Sequence, residues 1–191
     1  MDQALRAMNK ALPFAVVLAG IVVAAGSVSV FGVRAPTKAS VGIRSAWTQI
    51  KWPFLLDQWG IGRAYVCKPA DCGVEVNIYF RPKIGFCKCE AGVDDDEELE
   101  RVSDNELLAA KSVALGPGRP IEVGWMKGRS RLYEVSDATH VRLLSIAFND
   151  RCDVIVAVAM LGASAQGTIE PEVIAFLNSD PVLRWVKWLI S

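Results

Sequence analysis

Hydrophobic and polar positions divide the chain into one long apolar segment and a series of shorter patterned segments. Residues 11–33 carry no charged side chain, and most of them are apolar. At about 1.5 Å per helical residue, such a segment crosses a hydrocarbon core of roughly 30 Å, which predicts a transmembrane anchor. A signal peptide is the alternative, with Leu12 to Ala25 as its apolar region and a small-residue cleavage site at Ala24, Ala25 and Gly26.

Basic residues stand on both sides of this segment, so charge alone does not fix its orientation. Counting cations places the downstream side in the cytoplasm, but a large downstream domain often crosses the membrane regardless of flanking charge. The cysteines described below favour an extracytoplasmic domain. The predicted order is a cytoplasmic tail at 1–10, the anchor or signal segment at 11–33, a linker at 34–51 and an extracytoplasmic domain at 52–191.

Beyond the linker, alternation of apolar and polar residues predicts a series of β-strands. Val74, Val76, Ile78 and Phe80 alternate with more polar side chains, which is typical of a half-buried strand. Residues 153–160 are continuously apolar and rich in β-branched side chains, as in the centre of a sheet. Strands are predicted at 62–67, 74–80, 84–89, 121–126, 131–135, 141–148 and 153–160, with a turn at Arg81-Pro82-Lys83.

Three helical segments complete the predicted fold. Residues 94–110 begin with acidic side chains, which the helix dipole favours, and Ser103 with Glu106 matches a capping box that would restart the helix. Two more helices are predicted at 171–177 and 182–190, each introduced by an acidic residue and a proline. Strands in runs with helices set apart indicate the α+β class, with a mostly antiparallel sheet packed with helices.

The amino-acid composition argues against several classes of function. The 191 residues hold 21 basic and 21 acidic side chains, so the basic excess of a typical nucleic-acid-binding protein is absent. At 52% hydrophobic and 22% charged residues, the chain differs from disordered proteins. The single histidine, His140, lacks a neighbouring nucleophile motif, and no Walker loop or dinucleotide fingerprint occurs. An enzymatic role is not favoured, no catalytic residue is predicted, and no nucleic-acid partner is expected.

Five cysteines provide the most specific chemical signal. Four fall in a cysteine-rich region at 67–89 and the fifth follows far along the chain: Cys67, Cys72, Cys87, Cys89 and Cys152. In an oxidising compartment they would form disulfides that brace this region. The first two flank a four-residue turn, at a spacing that suits a bridge across a hairpin. Cys87 and Cys89 would point to the same side of one strand, so one of them would bridge to Cys152 or to a thiol of the first pair.

Thiolate chemistry is the alternative to disulfides. Four thiolates could hold a structural Zn²⁺ ion, although Cys-x-Cys is tighter than the usual zinc knuckle. The thiols could also stay free or act in redox chemistry, although no thioredoxin-like Cys-x-x-Cys is present. Zinc is therefore the candidate metal of this alternative, and no cofactor is expected if the cysteines form disulfides.

Two charged patches are weaker candidates. Lys127, Arg129 and Arg131, beside Trp125 and Tyr133, could contact anionic lipid or an acidic partner, but a solvated strand face is the favoured interpretation. An acidic run could attract Ca²⁺, but it lacks the spacing and glycine of an EF-hand, so a solvated helix start is the favoured interpretation. The run comprises Asp94, Asp95, Asp96, Glu97, Glu98 and Glu100.

The stretch from Trp47 to Trp59 contains three tryptophans among further apolar residues. Near a membrane exit, these indole rings could lie at the level of the lipid headgroups. Alternatively, the stretch packs over the folded domain as an apolar flap, which is the favoured interpretation.

Part of the chain resembles a known family. The pattern at residues 52–102 reads Trp-Pro-Phe, Asp-Gln-Trp-Gly, Cys-x4-Cys-Gly-x-Glu-Val, Ile-Gly-Phe-Cys-x-Cys and Asp-Asp-x-Glu-Leu, and residues 151–154 read Arg-Cys-Asp-Val. This pattern resembles an uncharacterised family of membrane-anchored or secreted envelope proteins from alphaproteobacteria, and the likeness covers most of the chain after the anchor. The resemblance implies no activity and no site residues. The order of the C-terminal elements is also similar to that of PsbP/Mog1-like α/β/α sandwiches.

These features together predict a single-pass membrane-anchored envelope protein, located in the bacterial inner membrane with its C-terminal domain in the periplasm. Its disulfide-braced α+β domain would act as a binding or assembly module for another envelope protein, while the N-terminal helix contacts the membrane. The alternative function is a thiolate metal-binding or redox module that uses the cysteine cluster.

Overall fold

The computed structural model describes residues 46–86, 88–136, 141–162 and 169–190. These residues form eight β-strands, four α-helices and one 3₁₀ helix. In chain order the elements are β1 (Trp47–Ile50), β2 (Arg63–Cys67), α1 (Pro69–Cys72), β3 (Val76–Lys83), α2 (Asp96–Val102), the 3₁₀ helix (Asn105–Leu107), β4 (Ser112–Ala114), β5 (Arg119–Val123), β6 (Met126–Val135), β7 (Arg142–Asp150), β8 (Asp153–Leu161), α3 (Glu170–Leu177) and α4 (Asp180–Leu189).

One antiparallel sheet contains all the strands of the described residues. The strand order is β1-β2-β3-β8-β7-β6-β4, and β5 pairs with the first part of β6. β7 and β8 lie near the centre, where both faces are covered, and most of their residues are buried. This arrangement confirms the predicted continuous apolar strand at 153–160 and the predicted antiparallel α+β fold.

Helices and loops cover both faces of the sheet. On one face, which we call the α3–α4 face, these two helices pack on a core that includes Phe80, Phe148 and Phe176. On the opposite face, which we call the α2 face, α2 covers Val154 and its neighbours on the central strands. Trp52 and residues around the 3₁₀ helix cover the rest of the α2 face. The sheet is therefore the middle one of three layers.

The predicted turn at 81–83 is wrong, because these residues continue β3 and pair with β8. Pro82 fits there because the antiparallel β2 does not extend that far: its first residue, Arg63, pairs with Phe80. Among the described strands, β3 therefore has one neighbour beyond Phe80, and a proline is tolerated at such an edge. The predicted strand at 84–89 is also wrong, because its described residues form turns outside the sheet.

The helical prediction at 94–110 holds only for its first part. Asp95 caps α2 by accepting a hydrogen bond from a backbone N–H of the first turn (2.6 Å). The chain is extended at Ser103 and then forms the 3₁₀ helix. The hydroxyl of Ser103 donates to Glu100 O (3.1 Å), and the 3₁₀ helix has no side-chain cap. The predicted capping box of Ser103 and Glu106 is therefore wrong.

Two short strands, β1 and β4, have no counterpart in the sequence predictions. β1 starts at Trp47, inside the segment 34–51 predicted as a linker, and pairs with β2. Both strands are too short for alternation to distinguish them from a loop. The predicted strands at 121–126 and 131–135 become β5 and the longer β6, which are joined by a hairpin with Gly124 at φ 61°.

The predicted membrane segment falls outside the described residues. The same is true of the tail at 1–10, most of the linker and His140. Within the described ranges, no helix is long and apolar enough to cross a membrane.

Candidate functional site

Two disulfides connect four of the five cysteines. Cys67, the last residue of β2, is bonded to Cys72 at the end of α1, with their Cα atoms 6.0 Å apart. Cys89 is bonded to Cys152 in the turn between β7 and β8, with Cα atoms 4.2 Å apart. Cys87 lies outside the described residues. The disulfide interpretation is confirmed, including a bridge from the Cys-x-Cys pair to Cys152.

The second bridge fixes the segment that follows β3. Its cysteines are 63 residues apart in sequence. Nearby, the Gly85 N–H donates to Asp153 (2.9 Å) and the Val93 N–H donates to Asn149 (3.0 Å), which connects the same segment to the β7–β8 hairpin. In the part of the chain that the structure describes, no group of three or more His, Cys, Asp or Glu side chains could hold a metal ion. A zinc site made of four thiolates would have to use cysteines that the two disulfides already bond.

The predicted basic patch and the predicted acidic run bind each other. Arg129 Nε is ion-paired with Asp96, and its terminal nitrogens donate to Asp94 O (3.2 Å) and Gly118 O (3.1 Å). The Gly118 N–H also donates to the Asp96 carboxylate (2.9 Å). This backbone hydrogen bond, together with Arg129, holds the pKa of Asp96 below its usual range. An ion pair and hydrogen bonds therefore connect the start of α2 to β6.

Arg131 makes a second connection between β6 and α2. Its guanidinium contacts Glu100 (2.6 Å) and Asp96 (3.7 Å). The side chains of Arg129 and Arg131 are only 19% and 18% exposed, whereas Lys127 is exposed. Of the three candidates for contact with an anionic partner, two thus bind carboxylates of this chain, so the favoured interpretation of a solvated strand face is wrong for Arg129 and Arg131. Sequence alone does not show that α2 crosses β6.

Glu98 of the acidic run is buried rather than solvated, with a side chain 1% exposed. Its carboxylate accepts two hydrogen bonds from Arg101 (2.9 and 2.6 Å) and one from the Lys88 N–H (3.3 Å). The Arg101 guanidinium holds the pKa of Glu98 below its usual range, against the opposing effect of burial. Because Lys88 precedes Cys89, these contacts also position the disulfide-bonded segment.

A buried charge cluster on the α2 face was not predicted. Arg81 and Lys83 of β3 meet Asp104, and these three side chains are at most 5% exposed. Arg81 binds Asp104 through Nε–Oδ2 (2.7 Å) and Nη2–Oδ1 (3.0 Å), and Lys83 Nζ lies 2.8 Å from Oδ1. Lys83 also donates to Val102 O at the end of α2 (2.7 Å). The signal in the sequence is the i, i+2 spacing of the two cations, which places both on one face of a strand.

Arg81 also holds a surface loop. Its Nη1 donates to both carboxylate oxygens of Asp57 (2.7 and 2.8 Å), and this contact lowers the pKa of Asp57. Asp57 belongs to residues 55–61, which we call the 55–61 loop. The large aliphatic side chains of this loop point to solvent, with exposed fractions of 91% for Leu55, 73% for Leu56 and 65% for Ile61.

The three tryptophans of the stretch 47–59 pack against the domain. Trp47 stacks on Phe176 of α3 with ring centroids 4.4 Å apart. Trp52 is buried against the α2 face, and Trp59 contacts Phe86 with ring centroids 4.6 Å apart. The flap interpretation is confirmed for the indole rings, while the aliphatic side chains of the 55–61 loop stay exposed.

A cavity of about 200 Å³ opens on the α3–α4 face, where β6, β7 and β8 meet the N-terminal end of α3. Its lining surface is more apolar than polar, and five of its twelve lining residues are leucine or isoleucine. Its polar lining residues are Arg119, Ser130, Arg131, Arg142 and Glu170. Only Arg131 among them stands out in the sequence, because the others look like ordinary strand and helix-start residues.

The prediction that His140 has no catalytic role stays a prediction, since this residue lies outside the described ones. The resemblance to alphaproteobacterial envelope proteins and the similarity to PsbP/Mog1-like sandwiches also stay predictions. No protein-family model, no curated protein and no solved structure matches this chain.

Proposed function

We propose that this chain is a single-pass membrane-anchored envelope protein whose disulfide-braced α+β domain binds a protein partner through the 55–61 loop. The uncharged segment 11–33 supports the anchor, and the bridges Cys67–Cys72 and Cys89–Cys152 support an oxidising compartment. In this arrangement the domain lies on the periplasmic side of the bacterial inner membrane, with residues 1–10 in the cytoplasm.

The exposed aliphatic side chains of the 55–61 loop carry the binding part of the proposal. Leu55, Leu56 and Ile61 are 91%, 73% and 65% exposed within one loop. Single exposed apolar residues are common on any protein surface and need no explanation. A cluster of them is instead typical of a surface that another protein covers.

The domain holds this loop in place. Asp57 is bound by the buried guanidinium of Arg81, and Trp59 packs on Phe86. The turn that contains Phe86 also exposes Ile84, whose side chain is 52% accessible. A loop that is already ordered loses little conformational entropy on binding, which favours affinity.

Site-specific photo-crosslinking of the full chain in its own membrane tests the partner contact. A photoreactive amino acid replaces Leu55 or, as the matched control, Val113, an aliphatic residue of β4 that is 62% exposed. We expect a cross-linked protein at position 55 that is absent at position 113, and we expect Leu56→Asp with Ile61→Asp to abolish it. Equal products at both positions, or cross-links to lipid alone, would overturn the proposal.

The thiolate alternative makes a different prediction for the same protein. Mass spectrometry of the full chain, alkylated without reduction and then digested, shows which cysteines are bonded. The proposal requires a peptide pair linked through Cys89 and Cys152 and a bridge between Cys67 and Cys72. Four alkylated thiols together with stoichiometric zinc would instead support the metal-binding module.

A further inference from the structure

The cavity on the α3–α4 face combines aliphatic and charged lining residues, and its lining surface is mainly apolar. At about 30 Å³ per water molecule, its volume of about 200 Å³ corresponds to roughly seven waters. This space suits one small ring or a short aliphatic chain. The aliphatic lining includes Leu115, Leu132, Leu144, Leu161 and Ile169.

Arg142 gives this cavity a positive charge that no ion pair among the described residues neutralises. It is the first residue of β7, it is partly buried, and it is one of the residues that line the cavity. Within the described ranges it forms no ion pair and no side-chain hydrogen bond. Glu134 stands opposite Arg142 in the β6–β7 register, yet the two side chains do not form an ion pair. A partly buried cation of this kind is stabilised by a bound anion.

The other charged side chains around the cavity are neutralised by neighbours. Arg119 is ion-paired with Glu170 (2.5 Å), and the buried hydroxyl of Ser130 donates to the same carboxylate. The side chain of Arg131 points away from the cavity to the α2 face, where it is ion-paired with Glu100 (2.6 Å). Glu170 is therefore bound by Arg119 and Ser130 and forms no ion pair with Arg142.

We propose that this cavity binds a small monocarboxylate with an apolar body, with the carboxylate on Arg142 and the apolar part against the leucines. A guanidinium matches a carboxylate through two parallel hydrogen bonds. Removal of the apolar part from water adds to the affinity. A positive charge that the described residues leave without an ion pair favours a monoanion over a neutral molecule of the same shape. The cavity shares no residue with the 55–61 loop, so this site does not depend on the proposed protein partner.

4-Fluorobenzoate is a suitable probe, because it joins one carboxylate to one ring and its bound state is visible by ¹⁹F NMR. The full chain is reconstituted in nanodiscs of zwitterionic lipid, and empty nanodiscs provide the blank. 4-Fluorobenzamide has the same shape without the charge. Arg142→Gln removes the cation, and Leu132→Phe fills the cavity without changing its charge. Arg184→Gln, which alters an arginine of α4 that is 73% exposed, is the matched control.

We expect saturable binding of 4-fluorobenzoate that Arg142→Gln weakens by about tenfold or more, the loss expected when a charge-assisted contact is removed. The benzamide should bind correspondingly more weakly, Leu132→Phe should reduce binding, and Arg184→Gln should leave it unchanged. Absence of saturable binding, or equal affinity for benzoate and benzamide, would overturn the site. If Arg142→Gln does not fold, the comparison of the two probes on the unaltered protein still decides the question.

Discussion

Arg81 and Asp104 form an ion pair with two hydrogen bonds inside the domain, with Nε–Oδ2 and Nη2–Oδ1 distances of 2.7 and 3.0 Å. The guanidinium is 3% exposed and the carboxylate 5%. Because Arg81 also binds Asp57, one buried side chain connects β3, the segment after α2 and the 55–61 loop. A buried charge is costly without its partner, so these groups stabilise the fold only as a set.

Asp104→Asn should therefore destabilise the domain strongly, because it leaves Arg81 and Lys83 buried without their shared carboxylate. Removing one partner of a buried pair costs about 3–5 kcal/mol, and we expect the free energy of unfolding to fall by that amount. Urea unfolding of the full chain in detergent, followed by tryptophan fluorescence, measures the loss. Glu106→Gln, at an exposed position of the 3₁₀ helix, is the control and should change the free energy by less than about 0.5 kcal/mol. A loss of only about 1 kcal/mol, typical of a surface pair, would contradict the role assigned to Asp104.

Acid should weaken the domain through Glu98, whose pKa is lowered in the folded state by Arg101. The stability that Glu98 contributes is present above the usual glutamate pKa of about 4.3 and is lost as the pH falls through the lower folded value. Glu98→Gln should therefore lower the free energy of unfolding by about 2 kcal/mol at neutral pH, and by progressively less below about pH 4. Urea unfolding across this pH range measures the difference.

Glu97→Gln, at an exposed position of the same helix, provides the control for this measurement. Its difference from the unaltered chain should stay small at every pH. Asp57 and Asp96 also have lowered pKa values, so the Glu98 variant should retain part of the acid sensitivity. A Glu98→Gln effect that does not change with pH would show that Glu98 acts through packing alone.

The two disulfides should contribute unequally to stability. In the chain-entropy model, a bridge across 63 residues contributes about 4 kcal/mol and one across 5 residues about 2 kcal/mol. The double variant Cys89→Ser/Cys152→Ser should therefore lose about twice as much as Cys67→Ser/Cys72→Ser. Urea unfolding without reductant measures both losses, and Cys87→Ser is the control that should keep both bridges in the mass spectrum. Similar losses for the two double variants would contradict the structural role of the longer bridge.

Local patterns predicted the centre of the sheet and the last two helices. The run at 153–160 is apolar throughout because β8 is covered on both faces, and this requirement is visible in any short window. The helices predicted at 171–177 and 182–190 occur at Glu170–Leu177 and Asp180–Leu189, with proline in the first turn of each. Cysteine spacing likewise predicted the shorter disulfide, since a bridge across a turn depends on nearby residues.

Local sequence patterns do not predict ion pairs between residues that are far apart in the sequence. Arg81 and Asp104 are 23 residues apart, and Arg129 and Asp96 are 33 apart. Each of these side chains alone is typical of a turn or a solvated face, because a charge is buried only when the fold brings a partner to it. The cavity beside Arg142 depends in the same way on where α3 meets the sheet, and no segment of the sequence contains that information.

Gly128 of β6 lies so close to β7 that a side chain has no room. A Cβ built there would lie 2.6 Å from Phe148 Cα and would also collide with the carbonyl oxygen of Ala147. Because backbone would have to move, Gly128→Ala should lower the free energy of unfolding by about 1–3 kcal/mol. Gly162→Ala is the matched control, since its Cβ would meet only Glu75 O at 3.7 Å, and we expect a change below about 0.5 kcal/mol. Equal effects of the two substitutions in urea unfolding would contradict the register that places Gly128 opposite Phe148.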